Sequence, residues 1–104
     1  MTRHKYKAEP TMRDGILFDS KKEAGRYGEL VAAQRAGIIR DLQIHVPFQL
    51  DVCGEQIGRY IADFVYHDRE GRLVVEDTKG VRTEMYKWKK RHMLAQYDIR
   101  IVET

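Results

Sequence analysis

Hydrophobic residues recur with a helical period in two parts of this chain. The first helix is predicted for residues 21–36, with Ser20 as N-cap and Glu23 at the third helical position, the spacing of a capping box. Gly37 then follows as the glycine that commonly terminates a helix. The same period predicts four inward-facing residues, Ala24, Tyr27, Leu30 and Val31.

The second helical period predicts a helix over residues 83–96. Thr83 at its start is a suitable N-cap, because its hydroxyl can accept a hydrogen bond from a free amide of the first turn. A stripe at positions i, i+3, i+7 and i+10 is expected to face the core: Met85, Trp88, His92 and Ala95.

Between the helices the period changes to two, which indicates β-strands. The first strand contains Pro47, which has no amide proton for a second neighbour, so we expect this strand at a sheet edge. Its apolar residues share one face: Leu42, Ile44, Val46 and Phe48.

Three further strands complete the predicted sheet. Residues 60–66 and 72–78 form a hairpin through a turn at residues 68–71. A last strand over residues 99–102 follows the second helix and should therefore lie parallel to the third strand. The order α-β-β-β-α-β predicts an α/β fold with a mixed four-stranded sheet flanked by helices.

The N-terminal residues lack this periodicity. Residues 1–14 are predicted to form a basic arm, followed by a turn at Asp14-Gly15 and a short extended segment that docks on the core. The 104 residues are expected to form one domain, and the single cysteine, Cys53, cannot form an intrachain disulfide. No apolar run suggests a signal peptide or a membrane span, so we expect a cytoplasmic protein.

Basic residues are concentrated in two segments that flank an acidic middle. Residues 79–91 contain six lysines and arginines against one acidic residue, Glu84. This distribution suits a surface that binds a polyanion, and a solvated, lysine-rich helix face explains it equally well. The charge pattern leaves both interpretations open.

The third strand ends in Glu76-Asp77-Thr78-Lys79, where carboxylates and a lysine follow an apolar run. Because side chains alternate along a strand, Asp77 and Lys79 share one face, and Glu76 points to the other. We therefore expect Glu76 to pair with a basic residue or to meet solvent. Asp77 and Lys79 are therefore candidate residues of a functional site.

Asp63 lies between apolar neighbours in the second strand, where an unpaired carboxylate is costly. Antiparallel pairing about the hairpin brings together residues whose numbers add up to about 140, so Asp63 should face Asp77. A structural ion pair, a bulge capped by backbone amides or a metal ion could compensate the charge, and we favour the metal. An all-oxygen ligand set suits Mg²⁺ or Mn²⁺. The capping role of Glu23 is complete without any catalytic duty.

Together these residues resemble the PD-(D/E)xK nuclease superfamily. The matching pieces are Glu23 in the first helix, Ile61-Ala62-Asp63-Phe64 in the second strand and Asp77-Thr78-Lys79-Gly80 at the end of the third. The wider sequence resembles a small phage-encoded branch of that superfamily and phage junction-resolving endonucleases. Ala62 departs from the proline in the motif's name.

The resemblance implies a restriction-endonuclease-like core and a Mg²⁺-dependent DNA endonuclease, with Mn²⁺ able to substitute. It could be selective for branched DNA or Holliday junctions. Asp63, Asp77 and the carbonyl of Thr78 would hold the metal, and Glu23 would assist through a water molecule or a second metal. Lys79 would orient the attacking water and stabilise charge on the phosphate. The residues expected to bind DNA are Lys5, Lys7, Arg82, Lys87, Lys89, Lys90 and Arg91.

Two other functions stay open. A non-catalytic nucleic-acid-binding domain could keep the fold, and a small structural domain of a phage or replication complex is the third alternative. One domain with one site cuts one strand per visit, so cleavage of a duplex or a junction would need a two-fold homodimer.

Overall fold

A computed structural model describes residues 9–104 and confirms the predicted α/β architecture. Two helices accompany a mixed four-stranded sheet and a separate two-stranded hairpin. Lys5 and Lys7 lie outside the described residues. The elements in chain order are β1 (Thr11–Arg13), β2 (Ile16–Phe18), α1 (Lys21–Arg35), β3 (Arg40–Val52), β4 (Glu55–His67), β5 (Leu73–Asp77), α2 (Glu84–Tyr97) and β6 (Val102–Glu103).

The main sheet has the strand order β3-β4-β5-β6. The β4–β5 hairpin pairs Phe64 with Glu76 and Val65 with Val75, which confirms the predicted register. β6 pairs parallel to β5, as its connection through a helix requires. β3 lies at the edge, where Pro47 is tolerated.

The N-terminal hairpin was not predicted in full. Asp14 and Gly15 both have positive φ, 51° and 75°, as a tight two-residue hairpin turn needs, and they join β1 to β2. β1 therefore occupies part of the predicted basic arm. The docking of the segment after the turn is confirmed, because Phe18 is fully buried.

Hydrophobic cores lie on both faces of the sheet. Neighbouring residues of β5 point to opposite cores: Val75 packs with residues of α2, and Val74 packs with residues of α1. In α1, Ala24 and Leu30 are buried as predicted. Each helix therefore covers one face of the central strands, and the ends of β4 and β5 lie between them.

The predicted inward stripe of α2 is wrong. Met85 and Trp88 are 62% and 45% exposed, and Ala95 is also exposed, whereas Tyr86 and Met93 are buried. Tyr86 and Met93 are themselves one heptad apart, so the sequence offers two competing stripes. The hydroxyl of Tyr86 reaches Glu103 at 2.7 Å, a contact that periodicity does not show.

Both predicted helix N-caps are confirmed. The Ser20 hydroxyl accepts a hydrogen bond from the amide of Glu23, and the Thr83 hydroxyl accepts one from the amide of Tyr86. None of the helices described in residues 9–104 is long and apolar enough to span a bilayer.

Candidate active site

The alternation of β4 is interrupted at Asp63, which places this residue at a junction between the two cores. Phe64 packs with residues of α1, but Ala62, two positions earlier, packs with residues of α2. In an uninterrupted strand these two side chains would share one face. Asp63 is thus the residue at which the strand changes the core that it covers.

The neighbouring strand shows a matching irregularity at His45. Ile44 packs with the core of α1 and Val46 with the core of α2, and His45 between them has φ of 52°. Left-handed backbone is uncommon for a residue with a side chain. Regular pairing continues on both sides, from Ile44 with Phe64 to Val46 with Ala62. The two strands therefore bend together beside Asp63.

Asp63 is held against the end of β5. Its Oδ2 accepts a hydrogen bond of 2.7 Å from the amide of Thr78. Burial and the charge of Asp77 raise the pKa of Asp63 to about 8, against the opposing effect of the Thr78 amide. Glu23 adds to the same rise. Asp63 and Asp77 therefore lie close together, as predicted.

Asp77 is almost fully buried, and both of its oxygens have partners. The Tyr60 hydroxyl donates to Oδ2 at 2.5 Å, and the Lys79 ammonium lies 3.0 Å from Oδ1. Burial, followed by the Asp77 contact, raises the pKa of Tyr60, so its hydroxyl stays a donor. Tyr60 is a site residue that the sequence did not indicate.

The change of Tyr60 to Phe is expected to lower the free energy of unfolding by about 1.5–3 kcal/mol, because it removes a buried hydrogen bond to a charged group. Urea denaturation of both proteins would measure the loss. The matched control is Tyr97→Phe, whose exposed hydroxyl donates to the Gln49 carbonyl at 2.6 Å. If Tyr97→Phe lowered the free energy of unfolding as much as Tyr60→Phe, the contact with Asp77 would make no special contribution.

Lys79 is positioned by two contacts besides its backbone. Its ammonium pairs with Asp77 and lies 4.1 Å from the centre of the Tyr86 ring. Such a contact with an aromatic face stabilises a cation without neutralising it. The carbonyl of Lys79 accepts a hydrogen bond of 3.2 Å from the ammonium of Lys22. A second lysine therefore lies beside this end of the strand.

The Glu23 side chain bonds the residue before the N-cap, and not Ser20 as a capping box requires, and it also contacts His45. Its Oε1 accepts from the amide of Asp19 at 3.0 Å, and its Oε2 lies 3.0 Å from Nε2 of His45. The carboxylate is buried, and both oxygens have partners within the chain. A catalytic role for Glu23 stays a prediction. His45 carries no recognisable sequence signal, because its position depends on the bend in β3.

A surface cavity of about 480 Å³ opens over the acid pair. It touches a second cavity of about 540 Å³, and Asp19, Lys79 and Thr83 line both. The two form one groove with Lys79 at its middle. The first cavity is lined by the predicted residues Asp63, Asp77, Lys79 and Lys89 and by Tyr60 and Tyr86.

The described residues that were predicted to bind DNA divide into three groups. Arg82 and Lys90 are engaged by Glu103, at 2.6 Å and 2.8 Å. Lys87 and Arg91 line a shallow depression on the outer side of α2. Only Lys89 of this set lines the cavity over the acid pair.

Glu103 predicts an acid-dependent loss of stability. Hydrogen bonds from Arg82, Lys90 and Tyr86 hold the pKa of Glu103 at about 2, below its usual value near 4.3. The contacts of Glu103 stabilise the fold fully above the pKa that Glu103 has in the unfolded chain. This stabilisation is lost as the pH falls through the pKa that Glu103 has in the folded protein. We expect the stability difference between the wild type and Glu103→Gln to shrink between about pH 4 and pH 2. Urea denaturation across this range would test it, and a constant difference would contradict it.

Glu76 lies on the opposite face, as predicted, and pairs with a basic residue. Arg26 binds it through two hydrogen bonds, from Nε at 2.9 Å and from Nη2 at 2.6 Å, and the Tyr66 hydroxyl donates to the same carboxylate. Glu76 is 1% exposed. Glu76 and Arg26 therefore form a structural ion pair, and the acid of this strand that lines the cavity is Asp77.

The acid pair fits a magnesium ion by the chemistry of its donors. Mg²⁺ typically binds one or two carboxylates and keeps several water molecules. Asp63 and Asp77 supply two, and burial together with the charge of Asp77 raises the pKa of Asp63. Among residues 9–104, no three His, Cys, Asp or Glu side chains converge as a complete ligand group. Water, substrate oxygens or the predicted Thr78 carbonyl would have to complete the shell.

Comparison with protein-family models assigns the chain to a family. Residues 3–102 match the family model described as "Protein of unknown function (DUF1064)". The chain belongs to this family. No curated protein and no solved structure matches it significantly. The match of DUF1064 covers nearly the whole chain, including all of the cavity residues named above.

Proposed function

We propose that this DUF1064 protein is a Mg²⁺-dependent DNA endonuclease. The observation that carries the proposal is the pair of the half-buried Asp63 and the buried Asp77, with Lys79 bound to Asp77, at the floor of an open groove. Two adjacent acids beside an open cavity, one with its pKa raised to about 8 by burial and by the charge of the other, are typical of functional sites. Selectivity for branched DNA and a homodimer that cuts both strands belong to the same proposal.

Phosphodiester hydrolysis adds a water oxygen to phosphorus and breaks one ester P–O bond, and the departing oxygen takes up a proton. When bound, Mg²⁺ would polarise a phosphate oxygen and acidify a water molecule. Asp63 and Asp77 would hold it, with the Thr78 carbonyl as a further candidate ligand and Glu23 acting through water.

The remaining groups of the cavity position the phosphate. Lys79 offers an ammonium at the centre of the groove, where it can stabilise the negative charge that develops on the phosphate oxygens. Tyr60 fixes one oxygen of Asp77 and so limits the directions in which that carboxylate can bind a cation. Lys89 provides a second positive charge at the cavity wall.

The proposal is tested by incubating the protein with single-stranded, duplex, nicked and four-way-junction DNA in Mg²⁺, in Mn²⁺ and in EDTA. We expect cleavage that requires the metal and is lost in both Asp63→Asn and Asp77→Asn. These substitutions remove a charge with little change of shape. Cleavage that persists in either variant would contradict the mechanism.

Binding of DNA without cleavage in either metal would favour the alternative, a non-catalytic nucleic-acid-binding domain. No specific contact in residues 9–104 favours that alternative over the nuclease, because a surface that only binds phosphate gains nothing from two acids in its floor.

A further inference from the structure

The outer face of α2 carries an exposed aromatic residue that the core does not need. Trp88, the only tryptophan, is 45% exposed, while Tyr86 and Met93 fill the inward face. The Trp88 ring lies against that of His92, with the ring centres 5.4 Å apart. The indole therefore presents a planar apolar surface to its surroundings.

Basic residues flank Trp88 on both sides of the helix. Lys87 and Arg91 are four residues apart and share one flank, where they line a depression of about 770 Å³ together with Trp88. On the other flank, Met85 and Lys89 line the cavity that contains the acid pair. Trp88 thus stands on a ridge between the candidate active site and a basic depression.

We propose that this ridge is a stacking platform for an unpaired base of the DNA strand that enters the active-site cavity. Aromatic side chains stack on any base, and neighbouring cations bind the phosphates on either side. In a regular duplex the bases are stacked on each other. Only a single strand, a flap or a branch point therefore offers a base to Trp88.

The charges of α2 favour a polyanion over a second copy of the chain. Two copies that met through this face across a two-fold axis would bring their basic residues together, and like charges across an interface oppose association. The acidic residue of the depression, Glu84, is already paired with Lys87 at 3.2 Å. Three basic residues of α2 flank Trp88 and would take part in such a contact: Lys87, Lys89 and Arg91.

The inference rests on the proposed nuclease function for its substrate, but its test needs no cleavage. The probes are oligo(dT) and a blunt duplex of the same length, added to the full chain in EDTA while tryptophan fluorescence is recorded. Since Trp88 is the only tryptophan, saturable quenching by oligo(dT) reports stacking at this position. We expect the duplex to quench much less.

Affinity measurements on variants complete the test. Trp88→Ala should weaken oligo(dT) binding by about 5-fold to 150-fold, the value of one base–aromatic stack, with a smaller effect on the duplex. Trp88→Phe should restore most of the affinity. The matched control is Ile57→Ala, since Ile57 is 47% exposed on the β3–β4 hairpin and should leave binding unchanged.

The outcomes separate this inference from the proposed function. Absence of quenching, together with wild-type affinity of Trp88→Ala, would overturn the platform even if the protein cleaves DNA. Quenching without any cleavage in Mg²⁺ or Mn²⁺ would support the platform and overturn the nuclease. A third outcome would overturn the platform. If the tryptophan fluorescence and the molecular mass of the wild type change with protein concentration, while Trp88→Ala stays monomeric, this face joins two copies of the chain.

Discussion

Replacement of Lys79 by alanine is expected to lower the rate of Mg²⁺-dependent DNA cleavage by about 100-fold to 1,000-fold, the usual effect of removing one group that stabilises transition-state charge. Lys79 is the cation closest to the acid pair, 3.0 Å from Asp77, and it lies where the two cavities meet. Single-turnover rates at saturating Mg²⁺ would measure the effect. DNA affinity should change far less, because one lysine is a small part of a basic surface.

A matched control is available at the other end of the same strand. Arg72 precedes β5, is exposed and pairs with Asp68 at 2.9 Å, so Arg72→Ala also removes an ion-paired cation. We expect this control to cleave at the wild-type rate. If Lys79→Ala also cleaved at that rate, the proposed role of the lysine would be wrong. If both variants were slow, the effect would reflect the stability of β5 and not catalysis.

Replacement of Arg26 by methionine is expected to lower the free energy of unfolding by about 3–5 kcal/mol, because it leaves the buried carboxylate of Glu76 without its counter-ion. The two hydrogen bonds between them join α1 to β5 on the face opposite the cavity. Hydrogen bonds to Glu76 also raise the pKa of Arg26. Urea denaturation of the variant would measure the loss, which is a large share of the stability of a small domain.

Two further variants make this result specific. Arg26 also pairs with the exposed Glu29 at 2.8 Å, and Glu29→Gln removes the negative charge from that contact alone. An exposed pair of this kind contributes about 0.5 kcal/mol or less, so this control should be nearly as stable as the wild type. The double variant Arg26→Met with Glu76→Leu should recover most of the loss. Equal losses in Glu29→Gln and Arg26→Met would contradict the buried pair as the cause.

Much of the candidate site follows from local rules. Strand alternation separates Asp77 from Glu76, and hairpin register places Asp63 beside Asp77; both depend only on positions in the sequence. The partners of the acids do not follow from such rules. Tyr60 reaches Asp77 because β4 changes the core that it covers at Asp63, and His45 reaches Glu23 because β3 bends at the same level.

By itself the sequence determined the order of the elements from α1 onward, both helix N-caps, the register of the central hairpin and the acid pair with its lysine. These depend on contacts between residues close in the chain or on a two-residue period. The tertiary structure decided which stripe of α2 is buried, because Tyr86 packs with core residues of the sheet and its hydroxyl reaches Glu103, whereas Met85 stays exposed. It also decided that Trp88 faces outward, since packing between distant elements is set by shape and not by period.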